Sequence, residues 1–130
     1  MGMYTEFFYR AEIRKNVPEN VREVLKFLCA GAPRPPGDLP DHEFFQCSRW
    51  EDVAVMGSAY FISREPIFRD TGNAYELAIH SNMKNYGGEI QKFVDWVDPY
   101  VRAIRGDFLG YSLYEESNQP EMFFRGKAVI

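Results

Sequence analysis

Histidine and cysteine are scarce in this chain, two of each in 130 residues, and the scarcity removes several chemistries at once. Cys29 and Cys47 have no Cys-x-x-Cys spacing and no flanking ligand pattern, so nothing in the order of residues builds a zinc site, which needs three or four ligands. A Cys–His nucleophile would have to be assembled from Cys47 with His42 or His80, and no third residue is positioned to orient the base. The paired His-x-Ser/Thr motifs of a 2H phosphoesterase are missing: His80 is followed by Ser81 and Asn82, and His42 by Glu43 and Phe44. No Walker motif and no GxGxxG fingerprint occur. A basic excess is lacking too. The net charge of −4 argues against general nucleic-acid binding, and the scattered carboxylates are too weak for a DNA mimic. No stretch approaches the roughly 18 apolar residues of a membrane span, the first residues have no signal-peptide layout, and Glu6 stands where a myristoylation signal has Ser or Thr. The expectation is a cytoplasmic protein with no cofactor, no metal and no catalytic residues.

What is abundant is aromatic side chains, 16% of the residues, with 45% hydrophobic overall, which is enough for one folded domain over residues 1–130 with one sizeable core. Residues 4–14 alternate, with Phe7, Tyr9, Ala11 and Ile13 on one side and Phe8, Arg10, Glu12 and Arg14 on the other, which predicts a strand. Asn16 and Pro18 then open a helix carrying Val21, Val24, Leu25 and Leu28 at helical spacing, closed by Gly31. Cys29 lies on that stripe as a buried, reduced thiol. The proline-rich residues 32–41 read as a stiff connector. Phe44 and Phe45 form an aromatic anchor, and one or two strands are expected between Val53 and Ile62 and near Ile67. The Asp70–Asn73 turn leads into a strand through Tyr75, Leu77, Ile79 and Met83. A helix follows from Ile90 to Ile104, with a kink or break near Asp98 imposed by Pro99. A terminal hairpin, Phe108–Glu116 and Glu121–Ile130, completes the order. This β-α-β-β-α-β pattern with an extra strand predicts an α+β fold: a mostly antiparallel sheet, two helices on one face, a ferredoxin-like variant.

The blocks YTEFFYRAEI, PDHEFFQCSRW, SAYF, SNMKNYGGEIQKFVDWVDPYV and FLGYSLYEE resemble a family of small phage and prophage accessory proteins. The resemblance covers most of the chain, and its motifs are aromatics, turns and helix stripes. It implies a viral protein made inside a bacterial cell that counters host defence by binding. Sponges that sequester nucleotide-derived immune signals belong to that class. Two surfaces suit such a role. The corner HSNMKNYGGEIQKF carries Gly87 and Gly88 at a helix start, where N–H groups can take an anion with help from Lys84, Asn82 or Asn85. The competing reading is a plain strand-to-helix turn, which Glu89 favours because it complements the helix dipole. The second surface is the sheet face away from the helices, to which alternation assigns Phe8, Arg10, Arg14, His80, Asn82, Tyr114, Phe123, Arg125 and Lys127. Rings there would stack a base and the cations would neutralise phosphate. The same composition suits a homo-oligomer interface or cover by residues 50–70. The favoured partner is therefore a small anionic, nucleotide-like ligand, a nucleotide-derived signal sequestered at a subunit boundary; the alternative is a host defence protein gripped by this face or by the acidic Glu115–Glu116 edge. A structural or regulatory phage role is the third reading.

Overall fold

A computed structural model describes residues 4–30, 36–57 and 65–126. The first alternating run becomes β1 (Thr5–Arg14), in which Phe7, Tyr9, Ala11 and Ile13 are all buried. Its length lets it serve as the central strand. On one side it pairs antiparallel with β3 (Ala74–Met83) over all ten residues, and on the other with β4 (Phe108–Tyr114). The short β2 (Ile67–Asp70) adds to β3 through the predicted Asp70–Asn73 turn, where Gly72 takes a φ of 102°. At the other edge β5 (Glu121–Phe124) pairs with β4. Among the described residues the sheet has five strands in the order β2-β3-β1-β4-β5, and every pairing is antiparallel.

Helix α1 (Glu19–Ala30) buries Val21, Val24, Leu25 and Leu28, the stripe that the spacing predicts. Helix α2 (Glu89–Val97) buries Ile90, Phe93, Val94, Trp96 and Val97. Both join one core with the odd-numbered side chains of β1, so they cover the same sheet face. The aromatic surplus is largely used here. Phe7 meets Phe93 edge-on at 6.0 Å, Phe93 meets Phe44 at 5.5 Å, and Phe44 stacks on Trp96 at 5.8 Å and touches Trp50 at 5.9 Å. Trp50 in turn meets Phe27 of α1 at 5.8 Å. The expected Phe44–Phe45 anchor is thus a 3₁₀ turn (Glu43–Gln46) that ties α1 to α2. Burying a ring of this size contributes about 1.5–3 kcal/mol, which is why so short a turn holds its place.

Three boundaries depart from expectation. The final strand ends at Phe124 with Arg125 and Gly126 in a turn, while residues 127–130 lie outside the described residues. Residues 53–57 form turns rather than a strand, with Val53 and Ala54 buried, and the rest of that anticipated strand lies outside the described residues. Helix α2 stops at Val97 and does not run to Ile104. Asp98–Tyr100 tightens to a 3₁₀ turn at Pro99, Val101 bridges to Ile13, and Ile104 is 76% exposed. The missing proline N–H and the proline ring end the helix where the sequence places the break.

Candidate functional site

The even-numbered residues of β1 emerge on the sheet face away from the helices, and the register brings a cross-strand row to each of them. Met122, Tyr111, Phe8 and His80 stand side by side across β5, β4, β1 and β3. Phe8 stacks on Tyr111 (5.6 Å, 24° between planes) and presents its edge to His80 (5.6 Å, 88°). One row further, Glu6 holds both flanking groups with a single oxygen: His80 Nε2 lies 2.6 Å from Oε2, and the Tyr111 hydroxyl donates to it at 2.9 Å. Desolvation first, then the Glu6 hydrogen bond and charge, raise the Tyr111 phenol above its ordinary value, so it remains a donor. Toward the other end of β1, Glu76 is clamped by Arg10 (3.3 Å) and Arg69 (2.7 Å), and Glu12 pairs with Arg102 (3.4 Å). A shallow depression of about 680 Å³ lies between Phe8, Arg10, Ile67, His80 and Tyr111.

Of the residues assigned to this face from sequence, Phe8, Arg10, Arg14, His80 and Asn82 are on it, Asn82 opposite Glu6, while three others are not. Tyr114 lies opposite Thr5, on the helix side. Phe123 lies opposite Gly110, is 7% exposed and packs edge-on against Phe7 at 6.2 Å within the core. Arg125 turns to the helix side, where its Nη1 reaches Asp98 at 3.2 Å and its Nε donates to the Val101 carbonyl. The cause is one of parity. The pairing Tyr111↔Met122 sends even residues of β5 outward, and a slip of one residue moves a whole strand to the other face. Lys127 lies outside the described residues. Lys84 sits over the Tyr4 ring at 5.7 Å, and Asn82 is buried with its N–H on the Met56 carbonyl. Sequence reasoning missed Glu6 and Tyr111. Glu6 was legible, two positions before Phe8; Tyr111 needed the β1–β4 register, which no local signal supplies.

The Gly87–Gly88 corner takes up its own donors. Gly88 has a φ of 73°, and the N–H groups of Gly87, Gly88 and Ile90 donate to the Glu89 carboxylate (3.0 Å), the Asn85 carbonyl (3.2 Å) and Asn85 Oδ1 (2.9 Å). Glu89 is buried against the helix start, and its carboxylate stands where an anion would have to sit. The corner is a self-capped turn.

Neither histidine is set beside a thiol as a base. His42 Nδ1 accepts the Phe44 N–H at 3.0 Å, so in the neutral ring Nε2 carries the hydrogen and donates to Asp95 Oδ2 at 2.9 Å. Cys47 directs its Sγ toward the Gly87 carbonyl at 3.6 Å, and burial raises its thiol pKa. Cys29 is half-buried, and burial pushes its thiol up to about 12. Among the described residues, no group of three or more His, Cys, Asp or Glu is placed to hold a metal ion, and no helix is long and apolar enough to cross a membrane. The chain matches no model of a known protein family, no curated protein and no solved structure.

Proposed function

We propose that this chain is a non-enzymatic binding protein of the phage accessory type, acting as a homo-oligomer in the bacterial cytoplasm, and that the outer sheet face is its contact surface for a host defence protein. The observation that carries this reading is the row Met122–Tyr111–Phe8–His80 running across four strands. Rings and a methionine flanked by charged groups make the composition that protein interfaces enrich. The charges favour a protein over a phosphate: Arg10 and Arg69 already face Glu76, and Arg125 is paired with Asp98 on the other side of the sheet. We read the fold as a ferredoxin-like variant, supported by β1 and β3 at the centre, β4 and β2 outside them, and β5 as an added edge.

Sequestration of a nucleotide-derived anion is the second reading. The Phe8–Tyr111 stack supports it, as does Arg14, which is exposed and has no ionic partner among the described residues. Native mass spectrometry of protein purified from a bacterial lysate, repeated with a nucleotide panel, separates the two. A stoichiometric complex with a host protein, lost in Phe8→Glu with the spectrum of a folded chain retained, is the expected result. A nucleotide-sized adduct lost in Arg14→Ala would replace it with the second reading. Full retention of complex and anti-defence effect by Phe8→Glu would refute the assignment of the face.

A further inference from the structure

A second cavity lies on the opposite, helix-facing side of the sheet, and its chemistry is different. It encloses about 430 Å³, within the usual range of about 300–1,000 Å³ for small-molecule sites. Its floor is sheet. Two cross-strand pairs form it: Thr5 of β1 opposite Tyr114 of β4, and Ser112 of β4 opposite Glu121 of β5. Its wall is the self-capped corner with the first turn of α2, which contributes Asn85, Tyr86 and Gln91. Every described residue that lines it carries a hydrogen-bonding side chain, and none is Lys or Arg.

One helix amide sets the orientation of the wall. Because the Ile90 N–H donates to Asn85 Oδ1 (2.9 Å), Asn85 must point its Nδ2 the other way, and it donates to Gln91 Oε1 at 2.8 Å. Gln91 is thereby turned to donate from Nε2 to Glu121 Oε1, again at 2.8 Å. Each amide keeps a second N–H, and Glu121 keeps a second oxygen, so fixed donors and a fixed acceptor stand next to one another. Thr5 and Ser112, only 6% and 5% exposed, and Tyr114 add three hydroxyls to the lining. The Tyr114 phenol is raised above its ordinary value, by partial desolvation first and then by Glu116, Glu115 and Tyr86, so it stays protonated.

We propose that this pocket binds a neutral, polyhydroxylated ring: a sugar, or the ribose of a nucleoside. A pair of neighbouring hydroxyls needs a carboxylate to accept from it and amide N–H groups to donate to it, and Glu121 with Gln91 and Asn85 provides both in a preset arrangement. The ring's C–H face suits the phenols of Tyr86 and Tyr114, whose amphipathic bodies contact apolar surface while their hydroxyls bond. An anionic ligand is disfavoured, since Glu121 is the one charged side chain among the described lining residues. The site is independent of the outer sheet face and of the function proposed for it.

The test is a ¹⁵N–¹H correlation titration of the full chain with glucose, galactose, ribose, adenosine and guanosine, with inorganic phosphate as the control. The side-chain NH₂ signals of Asn85 and Gln91 report directly on the wall. The expected result is a saturable shift of both, with affinity falling about tenfold or more in Gln91→Ala and in Ser112→Ala, each of which removes a hydrogen bond from a buried site. Response to free sugars assigns a saccharide; response to nucleosides and ribose alone assigns the ribose. Two variants guard against a loss of folding, which the dispersion of the same spectra reveals. The proposal is overturned if no polyol moves these signals, if phosphate moves them equally, or if both folded variants bind as the parent does.

Discussion

Gly110 is where the sheet is most intolerant of an added atom. It sits beside an irregularity in the β4–β5 pairing and opposite Tyr9 of the central strand. A Cβ at this position would lie 2.0 Å from the Phe8 carbonyl oxygen, and 2.8 Å and 2.9 Å from the Tyr9 Cα and the Phe8 carbon. All three are backbone atoms, so no side chain can swing aside. Because Cβ atoms keep beyond 3.0 Å, β1 and β4 must part locally by about 1 Å in Gly110→Ala. That stretches hydrogen bonds of about 2.9 Å to nearly 4 Å, where they no longer count as bonds. Two such bonds are at risk in a buried place, at about 1–2 kcal/mol each with the penalty for unmet groups, and the displaced Phe123 loosens its contact with Phe7. The expected loss is about 3 kcal/mol out of the roughly 5–15 kcal/mol that holds a domain together. In urea this lowers the midpoint by about 1.5–2 M. The control is Gly37→Ala, whose Cβ meets nothing within 4 Å and which is expected to be neutral. A Gly110→Ala midpoint within about 0.3 M of the parent's, on the same scale of urea dependence, would refute the strand spacing and with it the register that defines both sites.

Asp98 closes α2 onto β5, accepting the Gly126 N–H at 3.1 Å and facing Arg125 at 3.2 Å with both side chains less than a fifth exposed. Asp98→Ala leaves a half-buried guanidinium unpaired and should cost about 2–4 kcal/mol by urea unfolding, and a loss below about 0.5 kcal/mol would contradict the pairing. The Tyr9 hydroxyl is buried with no partner among the described residues, and burial, then Asp98, raise its pKa, so it is a neutral unmet donor. Tyr9→Phe should be neutral or stabilise by up to about 1 kcal/mol; a loss of that size would mean the hydroxyl is bonded. Asp70 is held below the usual carboxylate range, first by its hydrogen bond from Lys15 and then by that from the Gly72 N–H. A lowered folded pKa contributes stability above the unfolded value of about 3.9 and loses it as pH falls through the folded one. Asp70→Asn should therefore be less stable than the parent at pH 6, with the gap closing below about pH 4. An equal gap at pH 2.5 would refute it.

The elements with strong periodicity were legible. Strand β1, the stripe of α1, the Asp70–Asn73 hairpin and the break at Pro99 each rest on a local rule that tertiary contacts leave intact. The outer face is legible where it depends on the alternation of the two long strands β1 and β3, which sets Phe8, Arg10, Arg14 and His80 outward. It failed on β4 and β5. Their parity is set by register against β1 and by the irregularity near Gly110, a pair of long-range facts with no signature in a seven-residue strand. Beyond that break Val101 and Ile104 continue the helical spacing without forming a helix, because the proline has already ended it.

That one slip of parity changes the chemistry more than the fold. With Tyr114, Phe123 and Arg125 outward, the face would be basic and aromatic, a surface for phosphates and bases. With Tyr111, Met122 and Glu6 outward, it is aromatic and mixed in charge, and Glu76 occupies Arg10 and Arg69. The residues that left that face now line the other side. Tyr114 meets the Gly87–Gly88 corner, whose own amides are capped by Glu89 and Asn85 and which presents Asn85 and Tyr86. A corner that has taken up its own N–H groups holds its side chains still, and it is those side chains that make the polar pocket a place where hydroxyl groups can be counted and matched.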